Sequence, residues 1–164
     1  MFDIYLGVGG NLGSRLQNID FAIKLITEKI AIPVKISSVY LSEPWGFEHS
    51  KYFTNAVVHI KTNKLPEELL KIIAEIECVM KRIRSSGAYE GRTMDIDILF
   101  YGNKIIKNHC LEIPHKKLHE RLFVLLPMNE ISPDFIHPEF NKKIKELLKD
   151  CKDNSRIRKI AYGA

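Results

Sequence analysis

Hydrophobic periodicity changes along this chain in the order strand, helix, strand, strand, helix, strand, and no other feature restricts its fold as much. In Asp3–Gly9 the apolar residues Ile4, Leu6 and Val8 alternate, which predicts a strand. Ser14 is a candidate N-cap, and Leu16, Ile19, Ile23 and Ile26 keep helical spacing as far as Lys29. Val34–Ser42 and Phe53–Lys61 read as strands on either side of a loop at Glu43–Lys51. Pro66-Glu-Glu opens a second helix, with proline and acids in its first turn, running to Lys81 or Arg84. Ser85-Ser-Gly-Ala ends that helix, and Met94–Phe100 is an alternating strand. Gly102-Asn103 predicts a tight turn into Lys104–Lys107, a hairpin signal. Pro114-His115, a short helical stretch, Phe123–Pro127 and a polar helix over Lys142–Lys149 follow. The order β-α-β-β-α-β is that of the split βαβ, ferredoxin-like arrangement. The expected class is therefore α+β, a βαββαβ core with a largely antiparallel sheet, to which Cys110–Glu139 and the last helix are additions.

No repeat, low-complexity tract or Gly/Ser linker divides the chain, so residues 1–164 are expected to form one domain. At this length folding buries roughly 70% of the unfolded surface, and a core forms without staples. Composition, 45% hydrophobic and 27% charged, excludes disordered and collagen-like classes. Cys78, Cys110 and Cys151 are odd in number, far apart and without a CxxC pair. They exclude a disulfide framework and a cysteine zinc site, and point to the cytosol. No apolar run approaches the ~18 residues of a membrane span. Met1-Phe-Asp is no basic signal-peptide start, so a cytoplasmic protein with no membrane partner is expected. The net charge of +5 points to an anionic partner; on charge alone nucleic acid, a membrane surface and a polyphosphate would each fit it.

Asp95 and Asp97 are the sharpest chemical feature. Met94, Ile96, Ile98 and Phe100 share one strand face, which leaves both aspartates on the other with Cα atoms about 6–7 Å apart. A dication would relieve their repulsion, and magnesium suits few hard oxygen ligands completed by water and phosphate. A plain solvated face is the alternative. Arg82, Arg84 and Arg92 flank the Ser85–Gly91 loop just before them, and Arg121 follows His115. Guanidinium forks match phosphate oxygens, and a glycine-containing loop framed by arginines beside two carboxylates suits phosphoryl-type transfer. Arg82 and Arg84 also read as a helix C-terminus complementing its dipole.

Gly7-Val-Gly-Gly-Asn-Leu-Gly13 is neither a dinucleotide fingerprint, because Leu12 stands where glycine is needed, nor a P-loop. Its glycines permit a tight turn or close approach of backbone to a ligand. Phe53 and Asn55 lie at i and i+2 on one strand face. The Asn amide suits the edge of a heterocycle whose faces aromatics such as Phe123 could cover, although Phe in a strand is commonly core. His115 could touch phosphate or be an ordinary loop histidine. A basic ferredoxin-like nucleic-acid module stands against this reading, but no RNP1-type run is present and the aspartates would repel a phosphate backbone. An acylphosphatase-like hydrolase is the other competitor; it would need no second substrate. The tail Lys152–Ala164, with Arg156, Arg158 and Lys159, is basic and motif-free, and surface packing is its expected role.

The series Arg82-x-Arg84, Arg92-Thr-Met-Asp95-Ile-Asp97-Ile-Leu-Phe-Tyr-Gly-Asn103, Pro114-His115 and Arg121-x-Phe123, preceded by Val8-Gly-Gly-Asn-Leu12, Pro44-x-Gly46 and Phe53-x-Asn55, is specific. Over roughly residues 1–150 the chain resembles the 6-hydroxymethyl-7,8-dihydropterin pyrophosphokinase family of folate synthesis. The resemblance implies transfer of pyrophosphate from ATP to the pterin hydroxymethyl group, with AMP released. It implies two magnesium ions on Asp95 and Asp97, Arg82 and Arg92 as catalytic residues on the transferring phosphates, and Arg84 on the loop. Glu77, Ile98, His115 and Arg121 would surround ATP. Phe53, Phe123 and Tyr89 would pack about the pterin, Asn55 would read its edge, and Ser42 and Trp45 would line the pocket. A monomer acting on two small molecules, without nucleic acid, is the corresponding expectation. The chain departs from the family with Gly10 for a common serine, Tyr89-Glu90-Gly91-Arg92 for Trp-Gly-Pro-Arg, and with Ala74 and Lys116 near the expected adenine site.

Overall fold

Ile4, Leu6 and Val8 put three aliphatic side chains on one face of the first strand, and two helices cover them. The computed structural model describes residues 1–43, 52–82 and 94–160. Its elements are β1 (Phe2–Gly10), α1 (Arg15–Lys29), β2 (Lys35–Ile36), β3 (Val39–Ser42), β4 (Phe53–Thr62), α2 (Pro66–Arg82) and β5 (Asp95–Tyr101). There follow β6 (Ile106–Lys107), β7 (Glu112–Ile113), a single 3-10 turn at Leu118–Glu120, α3 (Leu122–Ile131), α4 (Ile144–Asp150) and β8 (Ile157–Ile160). The main sheet runs β5-β1-β4-β3-β8, with β2 also on β4, and every pairing in it is antiparallel. With β2 and β3 taken as one interrupted strand, the core order is fourth-first-third-second, the ferredoxin-like interleaving expected.

Helices α1 and α2 bury Ile19, Ala22, Ile26, Leu69, Ile73 and Ile76 against the even-numbered side chains of β1 and their neighbours. On the opposite face Val124, Leu125 and Met128 of α3 and Ile144 and Leu147 of α4 pack on Tyr5, Val57, Leu99 and Phe100. The result is three layers with the sheet in the middle. Ser14 occupies the N-cap position of α1 without a side-chain cap bond.

Phe100 departs from the expected pattern. Leu6 pairs with Ile98 but Tyr5 pairs with Phe100, so Leu99 is an extra residue in β5. This bulge carries Phe100 off the face of Ile96 and Ile98 and onto that of Asp95 and Asp97. There it meets Tyr5, Phe135 and His137 edge-on or tilted. The aspartate face is thus polar at one end and dry at the other.

Four further expectations are corrected. Val34–Ser42 is broken at Ser37, whose N–H goes to Val57 O (2.9 Å) and whose Oγ accepts the Val57 N–H (2.8 Å) in place of a ladder bond. The turn at Gly102 exists, with φ of 51°, but β6 pairs with β7 rather than with β5. Gly102 gives its N–H to Asp3 O (2.7 Å), which carries the chain across the end of the sheet. Helix α3 continues through Pro127 to Ile131, held by burial of Val124, Leu125 and Met128. The basic tail is a strand, β8, at the edge of the main sheet.

His137 is 1% exposed, stacked on Phe140, and its Nδ1 accepts the N–H groups of Glu139 (3.2 Å) and Phe140 (3.3 Å). Burial pushes its pKa down to about 4, outweighing the pull of Glu139. The unfolded chain takes up this proton first, near pH ~6.5. His137 therefore contributes stability above about pH 6.5 that is lost as the pH falls towards about 4. In urea titrations between pH 7.5 and 4.5, the wild type is expected to lose more stability than His137→Gln. An equal loss would remove the assignment.

Candidate active site

Along β1 the side chains of Tyr5, Gly7 and Gly9 fall on the α3 face, and the two glycines leave that part of the sheet bare. Gly9 is paired with Asn55 on one side and Asp95 on the other; Gly7 is paired with Val57 and Asp97. Strand spacing puts the Asn55 and Asp95 backbones about 10 Å apart across this shelf. A Cβ at Gly9 would collide with Asn55 Oδ1 and come within 3.2 Å of Thr54 O, so glycine is required there. Gly13, with φ of 60°, is the glycine that turns the chain into α1. Both uses expected of the glycine run are present at different positions.

The shelf floors a cavity of about 300 Å³. Ser42, Phe53, Asn55, Asp95, Asp97, Arg121 and Phe123 of the expected set all line it. Asn55 is 7% exposed, and its Nδ2 donates to Ser42 Oγ at 2.8 Å, which fixes the amide with Oδ1 over Gly9. Phe123 and Arg121 arrive from the start of α3, with the guanidinium 5.5 Å from the Phe123 ring centroid. Val57, Leu99 and Val124 complete an apolar wall, and Glu43 stands at the rim. The sequence carried no signal for Leu99, because the bulge that aims it is not written in the hydrophobic pattern.

Two expected residues border the aspartates. Glu77 of α2 accepts the Ile96 N–H at 2.8 Å. Burial pushes its carboxyl up, the Ile96 amide draws it down, and the charges of Asp95 and Asp97 push it up again, for a net rise. His115 gives its N–H to Leu99 O (3.0 Å) and accepts the Lys117 N–H on Nδ1 (3.3 Å). Burial lowers its pKa, Asp97 opposes this and Arg121 adds to it, for a net lowering; with Nδ1 accepting from Lys117, Nε2 is the nitrogen left to donate. Ile98 is 5% exposed in the core on the other face, so its side chain does not reach the cavity. Ile96 turns its N–H off the free edge of β5, and strand alternation puts the Ile98 backbone groups on that edge too. Trp45, Arg84, Tyr89 and Arg92 lie outside the described residues, and Arg82 is described only as the last residue of α2.

Among the described residues no three His, Cys, Asp or Glu side chains converge as a metal cage. Two adjacent carboxylates opening into a cavity fit a different kind of ion, one that keeps water and phosphate oxygens in its shell, as magnesium does. Asp95 and Asp97 both push the Glu77 carboxyl up, and a cation held between the two aspartates would relieve that repulsion.

Residues 5–133 match the model of the 7,8-dihydro-6-hydroxymethylpterin-pyrophosphokinase family. The chain belongs to this family. It is 41% identical over 147 residues to the 2-amino-4-hydroxy-6-hydroxymethyldihydropteridine pyrophosphokinase of Aquifex aeolicus, covering 90% of this chain and 91% of that one. The Haemophilus influenzae pyrophosphokinase of the same name is 37% identical over 159 residues, covering 96% and 98%. A crystal structure of an HPPK-DHPS protein in complex with substrates superposes with a TM-score of 0.73 at 18% identity, over 91% of this chain and 43% of that one. Plasmodium falciparum HPPK-DHPS with pteroate gives 0.74, over 91% and 44%. At that identity the likeness speaks for the pyrophosphokinase fold, and this chain spans less than half of those longer proteins. Helix α4 and strand β8 lie beyond the stretch matched to the family.

Because Gly9 leaves room only for Asn55, Gly9→Ala is expected to weaken binding of a hydroxymethyl-dihydropterin at least ~tenfold by calorimetry. Overpacking should cost about 1–3 kcal/mol of stability. Unchanged affinity would mean that the shelf does not hold the pterin.

Proposed function

We infer that the shelf from Asn55 to Asp95 is where the pyrophosphokinase reaction takes place. The chain transfers pyrophosphate from ATP to 6-hydroxymethyl-7,8-dihydropterin, giving the pterin diphosphate and AMP in folate synthesis. The observation that carries the assignment is the row Asn55, Gly9, Asp95 on three adjacent strands, which sets a heterocycle-reading amide and a carboxylate pair at opposite ends of one bare floor.

At the Asn55 end the groups offered to the pterin are neutral, with the Glu43 carboxylate at the rim. The amide offers a donor and an acceptor to the pterin edge, Ser42 keeps it from rotating, and Phe53 and Phe123 supply aromatic faces. Trp45 and Tyr89 join them on the strength of the motif alone. At the other end Asp95 and Asp97 would hold two magnesium ions. Bound there, the ions would supply neutralisation of phosphate charge and polarise the pterin hydroxyl. Arg121 and the neutral His115 offer N–H donors to phosphate, and Glu77 and the Ile98 backbone lie at the β5 edge where the nucleoside would rest. The motif assigns Arg82 and Arg92 to the transferring phosphates and Arg84 to the loop between them. The pterin oxygen bonds to the β-phosphorus, the bond to the oxygen bridging α and β breaks, AMP leaves, and the hydroxyl proton is released. We take residues 1–164 as one catalytic domain acting as a cytosolic monomer, a reading supported by a six-stranded main sheet that runs from β1 to β8 and by three free cysteines. No helix among the described residues is long and apolar enough to cross a membrane.

Mixing the chain with ATP, magnesium and the hydroxymethyl-dihydropterin should yield AMP without ADP; ADP, or ATP consumption without pterin, would refute the transfer. Asp97→Ala is expected to abolish turnover with an unchanged circular dichroism spectrum, because a metal bridge stabilises the transition state more than the ground state. Retained turnover would sink the metal assignment. Arg92→Ala should lower kcat by ~10²-fold or more, as for loss of a preorganised charge donor. An effect on KM alone would demote it to binding.

A further inference from the structure

Helix α3 brings Arg121 and Phe123 to the cavity, yet its own backbone does not fully fix the turn that carries them. Pro127 has no N–H to give the Phe123 carbonyl four residues back. Glu130 lies two turns beyond Phe123, on the same side of the helix. Its carboxylate takes three hydrogen bonds from β3 and the residue just before it: the Ser38 N–H at 3.0 Å, Ser38 Oγ at 2.8 Å and Tyr40 Oη at 2.6 Å. Lys159 of β8 adds its ammonium at 3.6 Å. Tyr40 is the residue paired with Asn55, so this anchorage adjoins the shelf.

We propose that Glu130 is a positioning residue for the pterin end of the site, fastening α3 to β3 and β8 and so setting the height of Phe123 above Phe53 and Asn55. The proposal rests on the functional reading above and extends it to a residue that touches no substrate. The chemistry of the contact suits a permanent tether. Burial pushes the Glu130 carboxyl up, but the bonds from Tyr40 and Ser38 and the charge of Lys159 outweigh it and hold it below its ordinary value. Burial and Glu130 together push the Tyr40 hydroxyl well above its ordinary value, so it remains the donor. The Glu130 side chain is 26% exposed, partly covered by the elements it joins.

The basic tail gains a role in the same way. Besides Lys159, it contributes Arg156, whose carbonyl accepts the Glu43 N–H at 3.3 Å and whose N–H is accepted by Glu43 Oε2 at 3.2 Å. Glu43 lines the cavity rim directly after Ser42. The segment from Arg156 to Lys159 therefore clasps both the end of β3 and, through Glu130, the helix opposite.

The test is a split between the two Michaelis constants. Glu130→Ala is expected to raise the KM for the pterin about tenfold while the KM for ATP stays within about twofold. Tyr40→Phe, which keeps the ring and removes one bond, should raise the pterin KM about threefold, and the double variant no further than Glu130→Ala alone. Ile144→Val in α4 is the control: a loss of stability with both constants unchanged. If the unaltered chain forms AMP but the pterin KM of Glu130→Ala does not move, or both constants rise equally, the proposal is overturned and Glu130 is merely structural. If the unaltered chain forms no AMP, the functional reading falls and this inference with it. Should Glu130→Ala fail to fold, Tyr40→Phe and Lys159→Ala decide by the same split.

Discussion

The bare stretch of β1 between β4 and β5 is the constraint on which the rest depends. A central strand normally carries side chains on both faces, and a glycine within it costs roughly 0.5–1 kcal/mol relative to alanine. Here Gly7 and Gly9 stand at alternate positions on the α3 face, with Gly10 closing the strand, so the bare floor lies on that face. The even-numbered residues of the same strand, Ile4, Leu6 and Val8, are at most 2% exposed beneath α1 and α2. One face of β1 holds the domain together while the other is kept open, and neither task intrudes on the other. That division works because the strand period is two: a slip of one residue would bury the glycines and push the aliphatic side chains into the cavity.

The bulge at Leu99 sets where the open face ends. Without the extra residue, Phe100 would lie under the helices and the aspartate face would continue polar to the end of β5. With it, Leu99 closes the cavity wall and Phe100 joins Tyr5, Phe135 and His137 in a dry aromatic cluster under α3 and α4. The second layer of helices is therefore seated by the same irregularity that bounds the site.

Much of this is legible in the sequence. Alternation in Asp3–Gly9 and Met94–Phe100, helical spacing in the first long helix and the Pro66-Glu-Glu start of the second pointed to the interleaved core, because periodicity records burial on one face and first-turn chemistry marks where a helix begins. Asp95, Asp97, Asn55, Phe53 and Phe123, which the structure brings to one cavity, could be named as candidates because residue type and spacing suggest their chemistry. The illegible parts share a physical cause. Phe100 could not be placed because a bulge alters parity without altering composition. The pairing of β6 with β7, and of β8 with β3, joins segments whose short polar-rich patterns contain no period. Helix α3 outlasts Pro127 because burial of Val124, Leu125 and Met128 outweighs one missing hydrogen bond, a tertiary effect that a local rule does not contain.

The two ends of the shelf call for different kinds of order. On the proposed reading one end takes a neutral bicyclic ring, recognised by shape and a few directed hydrogen bonds, so small displacements of Asn55 or Phe123 would change affinity directly. That end is held by mutually bonded groups: the buried pair Asn55 and Ser42, and the more exposed contacts of Tyr40 and Ser38 with Glu130 and of Glu43 with Arg156. A polyphosphate is recognised mainly by charge, whose attraction falls off slowly with distance and tolerates adjustment. Asp97 is correspondingly exposed and Asp95 only partly buried. The whole-chain excess of +5 says little about either end, since eighteen of the cations are lysines spread over the surface. On the proposed reading, what counts is the set Asp95, Asp97 and Arg121 at one end of the cavity, where pyrophosphate would be transferred, while the Asn55 end would contribute shape.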